Sequence, residues 1–492
     1  MRRLFSSTRA YKEVSPSTAI LKGISDEGGL FVPEHFPAID IEKLKHCSYR
    51  EICFVILSEY LTDFDHDVLK KMITKAYDKF STNNITPVIS FNQHHILELF
   101  HGPTLAFKDV ALSILPYLIM ESAKIQKIHD EIVILTATSG DTGKAALEGF
   151  ANIDHTKIIV FYPSEGVSEI QKKQMISQEG NNVYVIGTQG NFDDAQNGVK
   201  KIFNDQVFKK ELKGMNIILS SANSINIGRL LPQVVYYFSA YMQLVNQGVI
   251  QLHDKVNFTV PTGNFGNILA GYYAKEMGLP INKLICASNT NNVLFDFFNT
   301  GEYNKNRPFV KTISPSMDIL ISSNFERLLY HMSNHDKHLI TQWMTKLSEQ
   351  GHYRVPDSIK KKINHLFYGN YCDEASTKET IGKFYREFGY VLDTHTAVAC
   401  KVYQDYVNDT GDSKNNIILS TASPFKFTKS VYESIFENSQ GNEFSLISQL
   451  AEKTHISIPK QICNIEKMPI LHKDIIPATK MKEAIFKILK QA

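Results

Sequence analysis

The sequence predicts an α/β protein with doubly wound, mostly parallel sheets in two subdomains. Three observations carry that expectation. Between residues 96 and 289, short β-branched apolar runs alternate with longer segments of helical period. Glycine-containing junctions join the ends of several runs to helix starts, which is where open α/β sheets bind ligands. The chain has 492 residues, 43% of them hydrophobic, enough for two to four domains with large buried cores.

Composition narrows the function classes. The net charge is +2 and the charged residues are interspersed, so no nucleic-acid or membrane partner is implied. No apolar run approaches the ~18–20 residues of a membrane-spanning helix. Six cysteines lie scattered without Cys-x-x-Cys pairs, so neither a metal site nor a disulfide framework is expected, in keeping with a cytoplasmic protein. The basic, serine-containing opening lacks an apolar h-region, and it reads as mature structure rather than a targeting signal.

In chain order, residues 1–95 form a mainly helical preface. Helices are expected over 16–23, 49–61 and 67–80, with a turn and short strand over 26–33. A strand is expected at 96–100, then a turn at Gly102-Pro103 and a helix over 110–127. Further strands are expected at 132–137, 157–162, 183–186, 217–220, 256–260 and 284–287, with helices such as 168–178, 225–245 and 266–277. Residues 300–375 are richer in Asn, Lys, His and Tyr and read as a helical insertion, with helices at 324–332 and 338–349. The α/β pattern returns with a helix at 394–406, a strand at 417–419 and a terminal helix ending near 492, so 96–492 is expected to be one catalytic region.

Four stretches carry chemistry. His-Gly-Pro-Thr-Leu-Ala-Phe-Lys-Asp at 101–109 places Lys108 in the first turn of a helix, where the dipole disfavours its charge. An amine that deprotonates easily is what attack on an aldehyde needs. Thr-Ala-Thr-Ser-Gly-Asp-Thr-Gly at 136–143 follows a strand and opens a helix, so small residues and a positive helix end could receive an anion. Pro-Thr-Gly-Asn-Phe-Gly-Asn at 261–267 has the same form, but it is neither a dinucleotide fingerprint nor a P-loop. Ser-Thr-Ala-Ser-Pro-Phe-Lys-Phe at 420–427 follows the last strand and, unaided, reads as a helix cap.

These stretches together resemble threonine synthase, a pyridoxal-phosphate (PLP) enzyme of fold type II, the tryptophan synthase β-like architecture. The 26–33 stretch, the Ser-Thr-Arg opening and Ser-Pro-Ser-Met-Asp-Ile at 314–319 share in the resemblance. It implies PLP on Lys108, a phosphate cradle of Gly263, Asn264, Phe265, Gly266 and Asn267, and a pyridine-nitrogen partner in Thr421. It further implies a substrate-carboxylate loop of Thr138, Ser139, Gly140, Asp141 and Thr142. Dehydratases of the group usually carry Asn at the place of Asp141, and many members have His where this chain has Ser423. The implied activity is conversion of O-phospho-L-homoserine and water to L-threonine and phosphate, by a monomer or homodimer. A second phosphate site is required for that substrate, and Lys144 and Arg229 are candidates by charge and placement. His101 and His395 read as structural. Two alternatives stay open: a phospho-lyase releasing 2-oxobutyrate from the same substrate, and a PLP-binding homologue without turnover.

Overall fold

The alternation of apolar runs resolves into two parallel-rich sheets in a computed structural model, which describes residues 3–490 apart from 93, 139, 166 and 191. One sheet has five strands, all parallel, in the order Ile475–Pro477, Val183–Gln189, Thr156–Pro163, Glu131–Ala137 and Ile217–Ser220. The other has six, in the order Phe367–Tyr371, Ile281–Ser288, Val256–Pro261, Asn416–Ser420, His94–Glu98 and Val88–Phe91, with only the last pair antiparallel.

The strands are apolar on both faces because both faces are covered. Along Glu131–Ala137, Ile132 and Ile134 enter one core with Ile158 and Val160, while Val133 and Leu135 enter another with Ile159 and Phe161. The first core also takes Phe258, Leu284 and Leu419 from the six-stranded sheet. The helix Ile227–Asn246 supplies Leu230, Val234, Tyr237 and Tyr241 to that same core, so it is apolar almost all round. Each fully buried aliphatic side chain contributes roughly 1.5–3 kcal/mol, which gives the strand ends, and therefore the loops that follow them, a rigid base.

The N-terminal helices are set by their caps. Ser15 caps Pro16–Lys22, which ends at Gly23 with φ +70°, and Ser48 with Glu51 forms a capping box on Tyr49–Tyr60. Asp65 caps His66–Tyr77. The expected mainly helical preface also carries a three-stranded antiparallel sheet of Phe5–Ser7, Glu13–Val14 and Phe31–Pro33.

Three expectations are corrected. The helix expected over 110–127 is two helices, Lys108–Leu112 and Leu115–Ile125, because Pro116 lacks the N–H that would continue the first. The strand expected at 96–100 lies at His94–Glu98 and ends where its chain pairing to Asn416–Ser420 ends. The 300–375 region is not purely helical. Glu302–Asn304 pairs with His352–Arg354, and Phe367–Tyr371 is an edge strand of the six-stranded sheet. Gly369 suits that edge, since a Cβ there would run into the Phe298 ring. Among the described residues no helix is long and apolar enough to cross a membrane.

Candidate active site

Lys108 is held by backbone rather than by its own short helix. Ala106 bridges Ala422, Phe107 N–H donates to the Thr421 carbonyl at 2.9 Å, and Ser423 N–H donates to the Leu105 carbonyl at 3.0 Å. The lysine segment and the Thr421 segment are therefore one unit. Upstream, Asp109 accepts from Thr104 N–H at 2.8 Å and from its hydroxyl at 2.5 Å. The Lys108 side chain is buried, and its Nζ donates to Ser316 Oγ at 3.3 Å and lies 3.6 Å from Asp141 Oδ2. Burial lowers its pKa, Asp141 opposes that shift, and the cations of Lys426 and Arg229 add to it. With only five residues in the helix Lys108–Leu112, enclosure rather than the helix dipole is the main cause.

The 138–142 loop is built inward. Thr138 Oγ1 accepts from Gly140 N–H at 3.0 Å and Gly143 N–H at 2.8 Å, so its hydroxyl shapes the turn. Gly140 has φ +138°, and a Cβ there would sit 2.6 Å from the Gln171 side chain. Asp141 is enclosed and fully engaged: Lys426 Nζ lies 2.8 Å from its Oδ1, Gln171 Nε2 donates at 2.9 Å and Ser316 Oγ donates at 3.2 Å. Buried as it is, its carboxyl is held far below the usual range by the two lysines, Lys426 first. A carboxylate so placed repels a second one, so Asp141 serves the lysines, while Thr142 lines the cavity beside it. Ser139 lies outside the described residues.

The 263–267 turn is left-handed at Phe265, with φ +62°. That conformation is costly for a bulky residue, and ring contacts with Phe325 at 4.9 Å and Phe367 at 5.8 Å hold it in place. Gly263 lies against the 314–318 turn, where a Cβ would sit 2.6 Å from the Ser316 carbonyl oxygen. Gly266, which opens the helix Gly266–Glu276, has open space by comparison, with its nearest neighbour 3.4 Å from a Cβ. The Asn264 carbonyl accepts from Asn324 N–H at 3.0 Å. Asn267 Oδ1 accepts from the Tyr236 and Tyr237 hydroxyls at 2.6 and 3.1 Å, which leaves its buried Nδ2 without a partner.

Lys108, Thr138, Asp141, Thr142, Gly263, Asn264, Phe265, Gly266, Asn267 and Thr421 all line one cavity of about 840 Å³. Gly140 is not on its wall; it positions Asp141. The N-terminal segment joins the wall through residues such as Gly23 and Ser25. Among the described residues the Thr421 hydroxyl has no hydrogen-bond partner, and the cap of the turn Pro424–Phe427 is Ser423 instead. Arg229 also lines the cavity. Its Nη1 donates to the Ala222 carbonyl at 2.9 Å, its Nε is buried without a partner, and burial lowers its pKa to about 10. Lys144 does not line it, because its Nζ is occupied by Gln178 and by Glu148. His101 bonds Glu98 at 2.7 Å, away from the cavity.

Three residues escaped the sequence reading. Lys426 lies in the 420–427 motif without a role attached to it, and Ser316 lies in the 314–319 stretch of the expected helical insertion. His395, read as structural, lines the cavity: its Nδ1 faces Asp393 Oδ1 at 3.0 Å and its Nε2 accepts from Ser316 N–H at 3.1 Å.

The arrangement suits a phosphorylated aldehyde cofactor. Among the buried side-chain atoms without a partner, the two that line the cavity, Asn267 Nδ2 and Arg229 Nε, are both donors. Each such orphan costs roughly 1–3 kcal/mol in an empty site and calls for an acceptor, and a phosphate oxygen is one. A lysine of lowered pKa lies in the same cavity.

Comparison with known proteins agrees with this geometry. The chain matches the families "Threonine synthase N terminus" over 4–77, "Pyridoxal-phosphate dependent enzyme" over 95–421 and "Threonine synthase, C-terminal" over 396–468. It is 41% identical to threonine synthase-like 1 of Homo sapiens over 95% of this chain, and it spans 63% of that protein's length. It is 38% identical to threonine synthase of Pseudomonas aeruginosa, covering 84% of this chain and 86% of that protein. The crystal structure of yeast threonine synthase superposes with a TM-score of 0.88 at 33% identity, covering 99% of both chains. PLP-bound threonine synthase from Brucella melitensis gives 0.87 at 33% identity, again over 99% of both. The chain belongs to the threonine synthase family of pyridoxal-phosphate-dependent, fold type II enzymes.

Proposed function

We propose that this chain is a threonine synthase, converting O-phospho-L-homoserine and water to L-threonine and phosphate. The observation that carries the reading is the pair of orphan donors, Asn267 Nδ2 and Arg229 Nε, in one cavity with Lys108. Two anion-seeking groups suit a site that takes a cofactor phosphate and a substrate phosphate together.

In this reading Lys108 would hold PLP covalently, Gly263–Asn267 would surround its phosphate, and the Thr421 hydroxyl would meet the pyridine nitrogen. Bound there, PLP would supply the electron sink for negative charge at the substrate α-carbon. Lys108 Nζ takes one proton each from substrate Cα and Cβ, delivers one to Cγ, which becomes the methyl group, and returns one to Cα. Arg229 receives the phosphate that leaves Cγ, and water then adds at Cβ. The Thr138–Thr142 loop orients the substrate carboxylate through its backbone, since the Thr138 and Asp141 side chains are engaged. Residues 1–95 form the N-terminal domain and 96–492 the catalytic region, with the former lending the 22–28 segment to the cavity wall.

The test is to incubate PLP-loaded protein with O-phospho-L-homoserine and measure phosphate and organic product together. Equal amounts of phosphate and threonine are expected. Phosphate with 2-oxobutyrate would assign the phospho-lyase reaction, and no release of either would refute the reading.

A further inference from the structure

Lys426 is the most enclosed cation near the cavity. It has no exposed surface, and its Nζ reaches both Asp141 Oδ1 and the Thr104 carbonyl at 2.8 Å. Lys108 is the outer partner of the same carboxylate, 3.6 Å from Oδ2, with Ser316 Oγ between them at 3.3 Å from Nζ and 3.2 Å from Oδ2. One carboxylate cannot neutralise two buried ammonium groups. The closer contact, to Lys426, takes most of the carboxylate's compensation, and Lys108, at the longer contact, is left with less of it. We propose that Lys426 is a positioning residue for Lys108: through the carboxylate they share, it sets the charge state in which Lys108 rests, while the Ser316 hydroxyl holds the amine in place. The proposal rests on the reading of Lys108 as the cofactor lysine.

The other ionisable groups around Lys108 do not offer it a counter-charge. Arg229, on the helix Ile227–Asn246, adds a like charge. Asp109 directs both oxygens to Thr104. His395 is bonded through Nε2 to Ser316 N–H and through Nδ1 to Asp393. Asp318 is bonded to Thr312, Asn289 and Asn291. These last contacts also explain why Ser316 is where it is. His395 holds its N–H, Gly263 admits its carbonyl, and the Asp318 cluster fixes the turn around it. These constraints fix the Ser316 backbone, and with it the place of the hydroxyl that touches Lys108 and Asp141.

The test follows attachment of PLP to the apo full-length chain across pH, read by visible absorbance, with borohydride trapping and peptide mapping to confirm Lys108. In Lys426→Met, Lys108 becomes Asp141's sole cation, so the pH midpoint for attachment should rise by about 1–3 pH units. Lys426→Arg should restore the wild-type midpoint. Asp141→Asn leaves Lys108 facing a bare cation, so its midpoint should fall. The double variant Lys426→Met/Asp141→Asn should return towards wild type. A purely structural ion pair would give no opposite-signed pair of shifts, so midpoints that stay put or move in one direction overturn the proposal. If Lys426→Met does not fold, Asp141→Asn and the double variant decide. A downward shift in the first that the second reverses supports the proposal, and equal midpoints refute it. A label on a different lysine overturns the cofactor-lysine reading along with this one, whereas a label on Lys108 with an insensitive midpoint overturns this one alone.

Discussion

Replacing Arg229 with methionine separates a binding cation from a structural one. A buried cation that forms an ion pair costs about 3–5 kcal/mol to remove, because it strands its partner. Arg229 has no carboxylate within 4 Å among the described residues, and its one bonded group is the Ala222 carbonyl. Burial lowers its pKa to about 10, so the charged form is disfavoured by about 3 kcal/mol. Losing the charge-assisted bond to Ala222 costs about 1.5–3 kcal/mol. The two effects nearly cancel, so Arg229→Met should fold with a stability within about 1 kcal/mol of the parent. At roughly 2.1 cal/mol/K per residue, 492 residues give about 1 kcal/mol per degree, a Tm change of about 1 °C. Function should respond differently. Inorganic phosphate should raise the Tm of the PLP-loaded parent but not of the variant, and kcat/KM for O-phospho-L-homoserine should fall by 10-fold or more. A Tm drop of several degrees with an unchanged phosphate response would refute the assignment of Arg229 to the substrate phosphate.

Other perturbations test separate parts of the cavity. Lys108→Ala should abolish the borohydride-stable pyridoxyl label on its peptide and lower turnover by at least the 10²–10⁴-fold of lost proton transfer. Label on another lysine in the parent would refute the assignment. Gly266→Val should fold, because a Cβ there has 3.4 Å of clearance, yet weaken PLP binding measured by equilibrium titration. Gly263→Ala should instead lower the Tm of the apo protein, since its Cβ meets the Ser316 carbonyl oxygen at 2.6 Å. Identical behaviour of the two variants would remove the distinction drawn between them. Thr421→Val should cost one neutral hydrogen bond, about 0.5–1.5 kcal/mol, so PLP affinity should drop by several-fold to tenfold, and an unchanged affinity would place the hydroxyl away from the ring nitrogen.

What the sequence made visible depended on burial geometry. Central parallel strands such as Glu131–Ala137 are covered on both faces, so they read as uninterrupted apolar runs with loops at their ends. The edge strand Ile217–Ser220 was legible as an apolar run, but other peripheral strands offered no such signal. Ile475–Pro477 and Glu302–Asn304 are three residues long, and Phe367–Tyr371 contains Gly369 and Asn370, so tertiary pairing rather than propensity forms them. The loops that converge on the cavity were legible through their glycines and small residues. Which cations reach it was not. Lys144 and Arg229 looked equivalent by charge and by nearness to helix starts, yet Lys144 is turned to Glu148 and Gln178. Lys426 carried no sequence mark because its partner, Asp141, comes from the other sheet's loop.

The pairing pattern also explains why an acidic residue sits in a loop whose form favours anions. Asp141 gives its charge to Lys426 and Lys108, and the oxygens of Asp318 are taken up by Thr312, Asn289 and Asn291. No described carboxylate remains for Arg229, and no described acceptor remains for Asn267 Nδ2. A fold can bury an uncompensated cation or donor only at a cost to its own stability, and here both occur in one cavity wall. Compensation must come from the ligand, which needs acceptor atoms at two separate places and negative charge at Arg229. With the cofactor phosphate at Asn267, an unphosphorylated amino acid would leave the phosphate place at Arg229 unfilled. On the proposed reading the cavity would favour a substrate carrying its own phosphate, and homoserine lacking that group should bind far more weakly to the loaded protein than O-phospho-L-homoserine does.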